Sequence, residues 1–160
     1  MHTFLRMLIV GTVLGVGGVA IVSAATGADP VDGTWKLNVA KSKFSPGPAP
    51  QAQTRTYAES AQGVELSFSG VSADGKQMSG KSTYKYDGKD YPITGSPDYD
   101  AIALKRIDSN TAKSTQKKAG KAVGTTTRKV SKDGQVMTLT SKGTSANGTP
   151  YNNVLVFDKQ

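Results

Sequence analysis

Apolar and polar residues alternate in short segments over almost the whole chain from Gly33 onward. Trp35 and Leu37 mark one side of the first segment, and Leu66 and Phe68 mark one side of the third. This period of two is typical of strands with one buried face, and no long window repeats apolar residues at helical spacing. The pattern therefore predicts an all-β protein with Trp35 and Leu37 in its core.

Dipeptides that favour tight turns separate these segments. Two-residue hairpin loops need positive φ angles, which Asn, Asp and Gly tolerate. The sequence offers four such pairs, and we predict a hairpin at each of Asp74-Gly75, Asp87-Gly88, Asp133-Gly134 and Asn147-Gly148. The predicted strands are 33–39, 53–59, 64–70, 76–86, 90–94, 101–107, 111–117, 122–130, 135–143 and 151–158. Because the connections are short, we predict an antiparallel up-and-down meander of about ten strands, closed into a β-barrel by pairing of the last strand with the first.

One long loop interrupts the pattern between residues 41 and 53. Its centre, Ser45-Pro46-Gly47-Pro48-Ala49-Pro50, lacks three backbone donors and favours extended polyproline geometry. The loop could be a lid over one end of the barrel or a tie across its base, and we favour a structural tie.

Residues 1–24 have the pattern of a secretory signal peptide. Arg6 supplies the positive start, residues 7–22 are an apolar run, and small residues follow near Ala24 and Ala25. An uncleaved membrane anchor is the alternative, but the run is shorter than the ~20 residues that span a bilayer. We expect one mature domain, residues 25–160, with no transmembrane anchor, in the periplasm or secreted after cleavage near Ala24 or Ala25.

The composition excludes several kinds of chemistry. The chain has no cysteine, and its one histidine, His2, lies in the predicted signal peptide. The mature domain therefore offers no disulfide, thiolate nucleophile, Cys or His metal site, or His-based catalytic triad. We predict no catalytic residue, no metal and no cofactor. An enzyme in a barrel of this kind that uses Tyr or Lys as acid or base stays an open alternative.

The start of the mature domain carries a family resemblance. Gly33-Thr34-Trp35-Lys36-Leu37, followed by Lys41-Ser42-Lys43-Phe44, resembles the opening of the lipocalin and fatty-acid-binding protein (calycin) superfamily, whose members begin strand one with G-x-W. The secretion signal, the Pro-rich loop and the Thr-rich strands resemble bacterial lipocalin-like proteins in particular. The resemblance implies a lipocalin-like β-barrel with an internal cavity for a small apolar or amphipathic ligand, and a Trp35 that plugs the closed end.

The sequence also departs from that family. Fatty-acid-binding proteins carry a helix-turn-helix lid after strand one, where this chain has its Pro-rich loop, and an R-x-Y motif on the last strand, which is missing here. The lipocalin arginine that packs over the strand-one Trp is also missing, and Lys159 is a poor substitute for its guanidinium. The architecture therefore transfers to this chain and the binding residues do not.

Three arginines follow the signal peptide, and each shares a strand face with apolar, aromatic or small residues. If those faces point inward, guanidinium groups inside the barrel can hold a carboxylate or phosphate through paired hydrogen bonds. The alternative is a rim position, where each arginine is solvated or paired with an acid. Tyrosine hydroxyls at apolar surfaces suit ligand orientation. The candidate ligand-binding residues are Arg55, Arg106, Arg128, Tyr84 and Tyr86.

Basic residues are densest between positions 105 and 132, and the whole chain has a net charge of +8. Such a patch attracts anionic surfaces, for example acidic phospholipid or lipopolysaccharide. No aromatic residue is interleaved for base stacking, so we expect no nucleic-acid partner. The alternative is a set of solvated lysines that protects the strands from edge pairing. The patch consists of Lys113, Lys117, Lys118, Lys121, Lys129 and Lys132.

Two functional hypotheses follow. The preferred one is an exported, monomeric, non-enzymatic barrel that binds or carries a small amphipathic ligand, with its anionic head held by Arg106 and Arg128. The alternative is an envelope interaction module that binds anionic surfaces or a partner protein through the basic patch and has no ligand cavity.

Overall fold

A computed structural model describes residues 28–160 of the protein. The predicted signal peptide, its cleavage positions and the first residues of the predicted mature domain lie outside the described residues. Within them no helix is long and apolar enough to cross a membrane. The one helical element between residues 28 and 160 is a short 3-10 helix, Val39–Lys41.

Ten strands account for most of the described chain. Their bounds are β1 Gly33–Leu37, β2 Ala52–Ser60, β3 Gly63–Val71, β4 Gln77–Tyr84, β5 Asp87–Pro92, β6 Ala101–Arg106, β7 Thr111–Lys118, β8 Lys121–Val130, β9 Val136–Thr144 and β10 Pro150–Lys159. They form one antiparallel sheet in the order β4-β3-β2-β1-β10-β9-β8-β7-β6-β5. The predicted all-β meander is confirmed, as is the pairing of the last strand with the first. The described strands thus form a ten-stranded, nearly closed antiparallel barrel.

The barrel is not closed by a continuous ladder, because β4 and β5 are the two edges of the sheet. They approach one another only where the chain leaves β5. There the Thr94 N–H donates a 3.0 Å hydrogen bond to the Lys81 carbonyl. The approach is so close that a Cβ on Gly95 would lie 1.9 Å from the carbonyl oxygen of Ser79. The gap between the edges is therefore sealed at this point by backbone contact.

The same edge explains one wrong prediction. Asp87-Gly88 does not form a two-residue hairpin between β4 and β5. Instead Asp87 begins β5, the register with β6 shifts between Asp87 and Asp90, and Gly88 has a φ of +76°. A bulge of this kind bends an edge strand, which is consistent with a sheet that ends here rather than turning back on itself. The other three predicted hairpins are present.

The two ends of the barrel differ. Residues 28–32 cross the end that we call the closed end, where Val31 and Trp35 have no exposed surface and the Trp35 Nε1–H donates to the Val31 carbonyl at 2.6 Å. Leu37, two residues after Trp35 on β1, is also buried. The opposite end, which we call the mouth, is surrounded by the β3–β4, β5–β6, β7–β8 and β9–β10 connections and the Pro-rich loop.

The Pro-rich loop is attached to β10 beside the mouth. The Ser45 N–H donates to the side-chain oxygen of Asn153 at 2.9 Å, and the Asn152 N–H donates to the Ser45 carbonyl at 2.7 Å. Just before the loop, Lys43 forms an isolated antiparallel bridge with Val154 of β10. The loop is thus a tie along one wall of the mouth, where β1 no longer covers β10.

Candidate functional site

A cavity of about 100 Å³ lies inside the barrel. Inward-facing residues of most strands contribute to its wall. Its apolar lining consists of Leu66, Ile93, Ile102, Leu104, Ala112, Leu139 and Leu155. Its polar and aromatic lining consists of Arg55, Tyr57, Tyr84, Tyr99, Ser114, Gln116, Thr126, Arg128 and Ser141. The wall therefore combines a hydrocarbon surface with two guanidinium groups and several neutral hydrogen-bonding groups.

A second hollow of about 180 Å³ continues the cavity toward the mouth. The two share five lining residues, which are Tyr99, Gln116, Thr126, Ser141 and Leu155. The mouth hollow adds Asp98, Tyr151 and Asn153. The arginines line only the inner cavity, and the lining of the mouth hollow, which we call its rim, carries one negative charge, that of Asp98.

Arg128 is the most deeply buried charged group of the cavity, with 7% of its surface exposed. It donates one hydrogen bond of 2.9 Å to the Tyr84 hydroxyl and another to the Tyr86 hydroxyl. Burial raises the pKa of both tyrosines above the usual 10, so both are neutral phenols at physiological pH. They accept from two of the five N–H groups of the guanidinium and carry no negative charge themselves, and the nearest acid, Asp29, lies behind the Tyr86 hydroxyl.

No carboxylate within residues 28–160 forms an ion pair with Arg128. Its Nε–H is buried and has no hydrogen-bond partner in that part of the chain. Its other close neighbours are aromatic, with the guanidinium carbon 5.3 Å from the Tyr57 ring centroid and 5.6 Å from that of Tyr86. A buried charge with an unused donor is an electrostatically incomplete arrangement.

Arg55 supplies the second positive charge of the cavity wall. Its guanidinium lies between the rings of Phe68 and Phe157, at 5.5 and 5.7 Å from their centroids. The Arg55 Nε–H donates to the side-chain oxygen of Gln53 at 3.2 Å. The aromatic contacts and this hydrogen bond hold the planar group beside the cavity that it lines.

Arg106 occupies a different place from the one we predicted for it. It does not line the cavity, and it forms an ion pair with the buried carboxylate of Asp29 at the closed end. Its guanidinium also stacks on the Tyr86 ring at 4.0 Å. The structure therefore separates the predicted pair of arginines: Arg128 faces the cavity together with Arg55, whereas Arg106 is neutralised by an acid that the sequence analysis did not single out.

Tyr84 and Tyr86, which we predicted to orient a ligand, occupy different positions relative to the cavity. Their rings meet edge to face with centroids 5.7 Å apart. Tyr84 lines the cavity, but Tyr86 lies behind it, between Arg106 and Arg128. Tyr86 thus supports Arg128 from the closed end rather than facing the cavity.

Gln116 on β7 is a cavity residue that the sequence analysis missed. Its Nε2 donates to Thr126 Oγ1 at 2.7 Å and to Ser114 Oγ at 3.2 Å, and the Thr126 and Ser141 hydroxyls lie 2.7 Å apart. The amide oxygen of Gln116 is buried and has no partner among the described residues. The available signal was the polar character of Ser114 and Gln116, which alternate with Lys113 and Thr115 on β7.

The predicted basic patch extends along the outside of the barrel. Lys118 and Lys121 flank the β7–β8 turn at the mouth, and Lys132 lies in the β8–β9 turn at the closed end. Lys113 and Lys129 are exposed on the outer face between those ends. None of these five lysines lines the cavity, so the patch and the cavity are separate features.

The remaining patch residue, Lys117, forms an ion pair with Asp90 at 2.8 Å. Two other acids also form ion pairs with lysines, Asp158 with Lys41 and Asp74 with Lys76. No group of three or more His, Asp or Glu residues in the described part of the chain could hold a metal ion.

No protein-family model matches the chain, and no curated protein matches it. Among solved structures, the chain is similar to the crystal structure of zebrafish ileal bile acid-binding protein complexed with cholic acid, with 10% sequence identity and a TM-score of 0.47. The match covers 82% of this chain and 99% of that one.

Proposed function

We propose that the protein is a non-enzymatic binding protein for a small amphipathic ligand with an anionic head. The head lies between Arg128 and Arg55 in the inner cavity, and the apolar part contacts the hydrocarbon wall. The observation that carries this proposal is the buried guanidinium of Arg128, which has an unused donor and no carboxylate partner within residues 28–160.

The energetics favour a bound anion. Taking an arginine out of water costs several kcal/mol unless an opposite charge and full hydrogen bonding compensate. Tyr84 and Tyr86 supply hydrogen bonds but no negative charge. A carboxylate or phosphate at Arg128 would supply the charge and occupy the unused donor with charge-assisted hydrogen bonds. Much of the ligand's binding free energy would then come from completing an arrangement that the fold already holds in place.

The size of the cavity limits the ligand. The inner cavity of about 100 Å³ and the mouth hollow of about 180 Å³ are each smaller than the ~300–1,000 Å³ of common small-molecule pockets. Leu66, Leu104 and Leu139 line only a short hydrocarbon surface. A short-chain acid fits this space better than a long acyl chain, so we narrow the sequence-based expectation of a lipid-like ligand to a short amphipathic one.

The proposal places this activity outside the cytoplasm. The support for this location is the pattern of residues 1–24, which resembles a secretory signal peptide. The mature protein would act as a monomeric carrier or reservoir in the periplasm or outside the cell.

Native mass spectrometry of the exported protein tests first whether a ligand copurifies. Calorimetric titration with hexanoate then tests the arginine, with hexanol as the uncharged probe. We expect Arg128→Met to weaken hexanoate binding at least ~10-fold, since hydrogen bonds to charged groups contribute about 1.5–3 kcal/mol, and to leave hexanol binding unchanged. The control Lys118→Glu with Lys121→Glu alters the charge near the mouth but not the cavity. Equal hexanoate affinity in the wild type and Arg128→Met would remove the anion site.

A second candidate function is attachment to an anionic envelope surface. The observation in its favour is that Lys113 and Lys129 are exposed on neighbouring strands and form no ion pair among residues 28–160. Their registers place Lys113 opposite Thr127 and Lys129 opposite Thr111, so the two lysines are diagonal neighbours. Binding to phosphatidylglycerol vesicles that is lost in Lys113→Glu with Lys129→Glu, while hexanoate binding persists, would establish it as a separate activity.

A further inference from the structure

We propose that the ligand carries a second polar group, a hydrogen-bond donor such as a hydroxyl or ammonium, at the opposite end of its apolar part from the acid. Gln116 and the acidic rim recognise this donor where the cavity meets the mouth hollow. The inference rests on the proposed function, because it assumes that the anionic end lies at Arg128.

The amide of Gln116 is held in one orientation. Ser114 Oγ donates to the Thr126 carbonyl at 3.5 Å, which leaves that hydroxyl oxygen free to accept from the Gln116 Nε2. Thr126 Oγ1 accepts from the same nitrogen and lies within hydrogen-bonding distance of Ser141. With both amide protons of Gln116 used, its buried oxygen beside Gly124 is left as an acceptor without a partner among residues 28–160. This residue is only 5% exposed, and a buried acceptor without a partner costs free energy that a ligand donor would recover.

Gln116 and Arg128 are well placed for two ends of one short molecule. Arg128 on β8 is in register with Ala112 on β7. Gln116 lies four residues beyond Ala112 on β7, which is about 13 Å at the typical rise of a β-strand. Both side chains line the inner cavity. Apolar residues such as Leu104 and Leu139 line the same cavity. A carboxylate at one end and a donor at the other, joined by a short alkyl chain, matches this sequence of surfaces.

The charge of the rim favours a donor over another acceptor. Asp98 lines the mouth hollow and uses one carboxylate oxygen to accept from the Ala146 N–H at 2.8 Å. In the part of the chain that the structure describes, no lysine or arginine lines this hollow. Tyr151 stays a neutral phenol there, because burial and the neighbouring Tyr99 and Asp98 raise its pKa. An ammonium group would gain attraction from Asp98 in addition to the hydrogen bond to Gln116, whereas a second acid would be repelled.

The ligand class that follows is a short hydroxy or amino acid with the donor on its far end. Calorimetric titrations of the full protein with hexanoate, 6-hydroxyhexanoate, 2-hydroxyhexanoate and 6-aminohexanoate test it. The wild type should bind the 6-hydroxy and 6-amino acids about tenfold more tightly than hexanoate, the change expected for one added hydrogen bond. The 2-hydroxy acid should show no gain, because its hydroxyl lies beside the carboxylate.

Gln116→Met tests the residue responsible. It keeps the side-chain length but removes the acceptor, so it should abolish the preference for the 6-substituted acids, while hexanoate binding should stay dependent on Arg128. Gln116→Glu retains an acceptor at this position and should restore the preference for 6-aminohexanoate, even if the Met variant is poorly folded. Gln62→Met, at the exposed β2–β3 turn, is the matched control.

The outcomes separate this inference from the proposed function. If hexanoate binds in an Arg128-dependent way but the 6-substituted acids have no advantage, the donor site is wrong and the anion site stands. If the preference persists in Gln116→Met, another group recognises the donor and the assignment to Gln116 fails. If none of the acids binds, both proposals fail together.

Discussion

The Tyr86 hydroxyl donates a 2.6 Å hydrogen bond to the Asp29 carboxylate. The same hydroxyl accepts a hydrogen bond from Arg128, and the same carboxylate is paired with Arg106. Asp29 belongs to the segment that crosses the closed end and also accepts from the Val31 N–H. One buried acid therefore fastens this segment to the barrel and, through Tyr86, supports the arginine proposed to hold the ligand.

Asp29 should make stability depend on acid pH. Burial alone would raise its pKa, but hydrogen bonds from Arg106, Tyr86 and the Val31 N–H outweigh burial and hold the pKa below the usual 3.8. A carboxyl that binds its proton more weakly in the folded state stabilises the fold above about pH 4, and this stabilisation is lost as the pH falls through the folded pKa. We expect Asp29→Asn to lower the free energy of unfolding at pH 7 by about 2 kcal/mol and to flatten its decline below pH 4.

Urea denaturation between pH 2 and pH 7 measures both effects. The control is Asp158→Asn, which removes an exposed carboxylate that accepts from Asn38 and Lys41. It should change the free energy of unfolding at pH 7 far less than Asp29→Asn. Parallel pH profiles for the wild type and Asp29→Asn would show that the ion pair with Arg106 does not stabilise the closed end.

Arg128 should contribute little to stability although it is buried. Replacing buried charges by packed apolar groups is often neutral or stabilising, by about 1–4 kcal/mol. Arg128→Met would leave the Tyr84 hydroxyl without its partner, so we combine it with Tyr84→Phe. We expect this double variant to have an unchanged or higher free energy of unfolding at pH 7. Urea denaturation without ligand is the measurement. A loss of more than about 3 kcal/mol, as when one partner of a buried pair is removed, would assign Arg128 a structural role.

The strand order could be read from the sequence because it depends on local patterns. The alternation around Trp35 and Leu37 and the turn dipeptides mark strands without any knowledge of distant contacts. The pair Asp87-Gly88 misled this reading, since the same residues that suit a hairpin also suit a bulge on an edge strand. Whether a strand lies at an edge is decided by the whole sheet.

The site was less predictable, for physical reasons that differ between residues. Asp29 meets Arg106 across 77 positions of sequence, and its segment has no alternation that would reveal a buried side. Gln116 lies on a strand that is polar on both faces, so the pattern could not tell which face points inward. Arg128, in contrast, shares its face with Val130, and the structure buries both.

Lys159 takes the place over Trp35 that the family resemblance gave to an arginine. Its ammonium nitrogen lies 5.1 Å from the centroid of the Trp35 ring, and the two residues are in register on β10 and β1. We expect Lys159→Ala to lower the free energy of unfolding by less than about 1 kcal/mol, the range of an exposed cation–π contact. Lys159→Arg should retain or raise it, because a guanidinium stacks better on an indole.

Urea denaturation followed by Trp35 fluorescence measures both variants. Lys36→Ala serves as the control, because Lys36 is exposed on β1 next to Trp35. An arginine variant less stable than the alanine variant would mean that the end of β10 has no room for a stacked guanidinium.

The contact that seals the gap between β4 and β5 can be tested by one pair of glycines. Gly95 and Gly148 have nearly the same positive φ, +82° and +84°, so alanine at either position incurs a similar backbone cost of about 1–2 kcal/mol. A Cβ at Gly148 meets nothing within 4 Å, whereas at Gly95 it would lie 1.9 Å from the Ser79 carbonyl. We expect Gly95→Ala to lose a further ~1–3 kcal/mol from this overlap.

Hydrogen exchange at Thr94 locates the additional loss. Its N–H bonds to the Lys81 carbonyl across the gap, so exchange there should accelerate in Gly95→Ala and stay at the wild-type rate in Gly148→Ala. Among the strands within residues 28–160, β4 and β5 are the only neighbours around the barrel that lack a ladder, so the wall can open here at least cost in hydrogen bonds. If the two alanine variants are equally stable and Thr94 exchanges at the same rate in both, the contact at Gly95 does not hold the edges together.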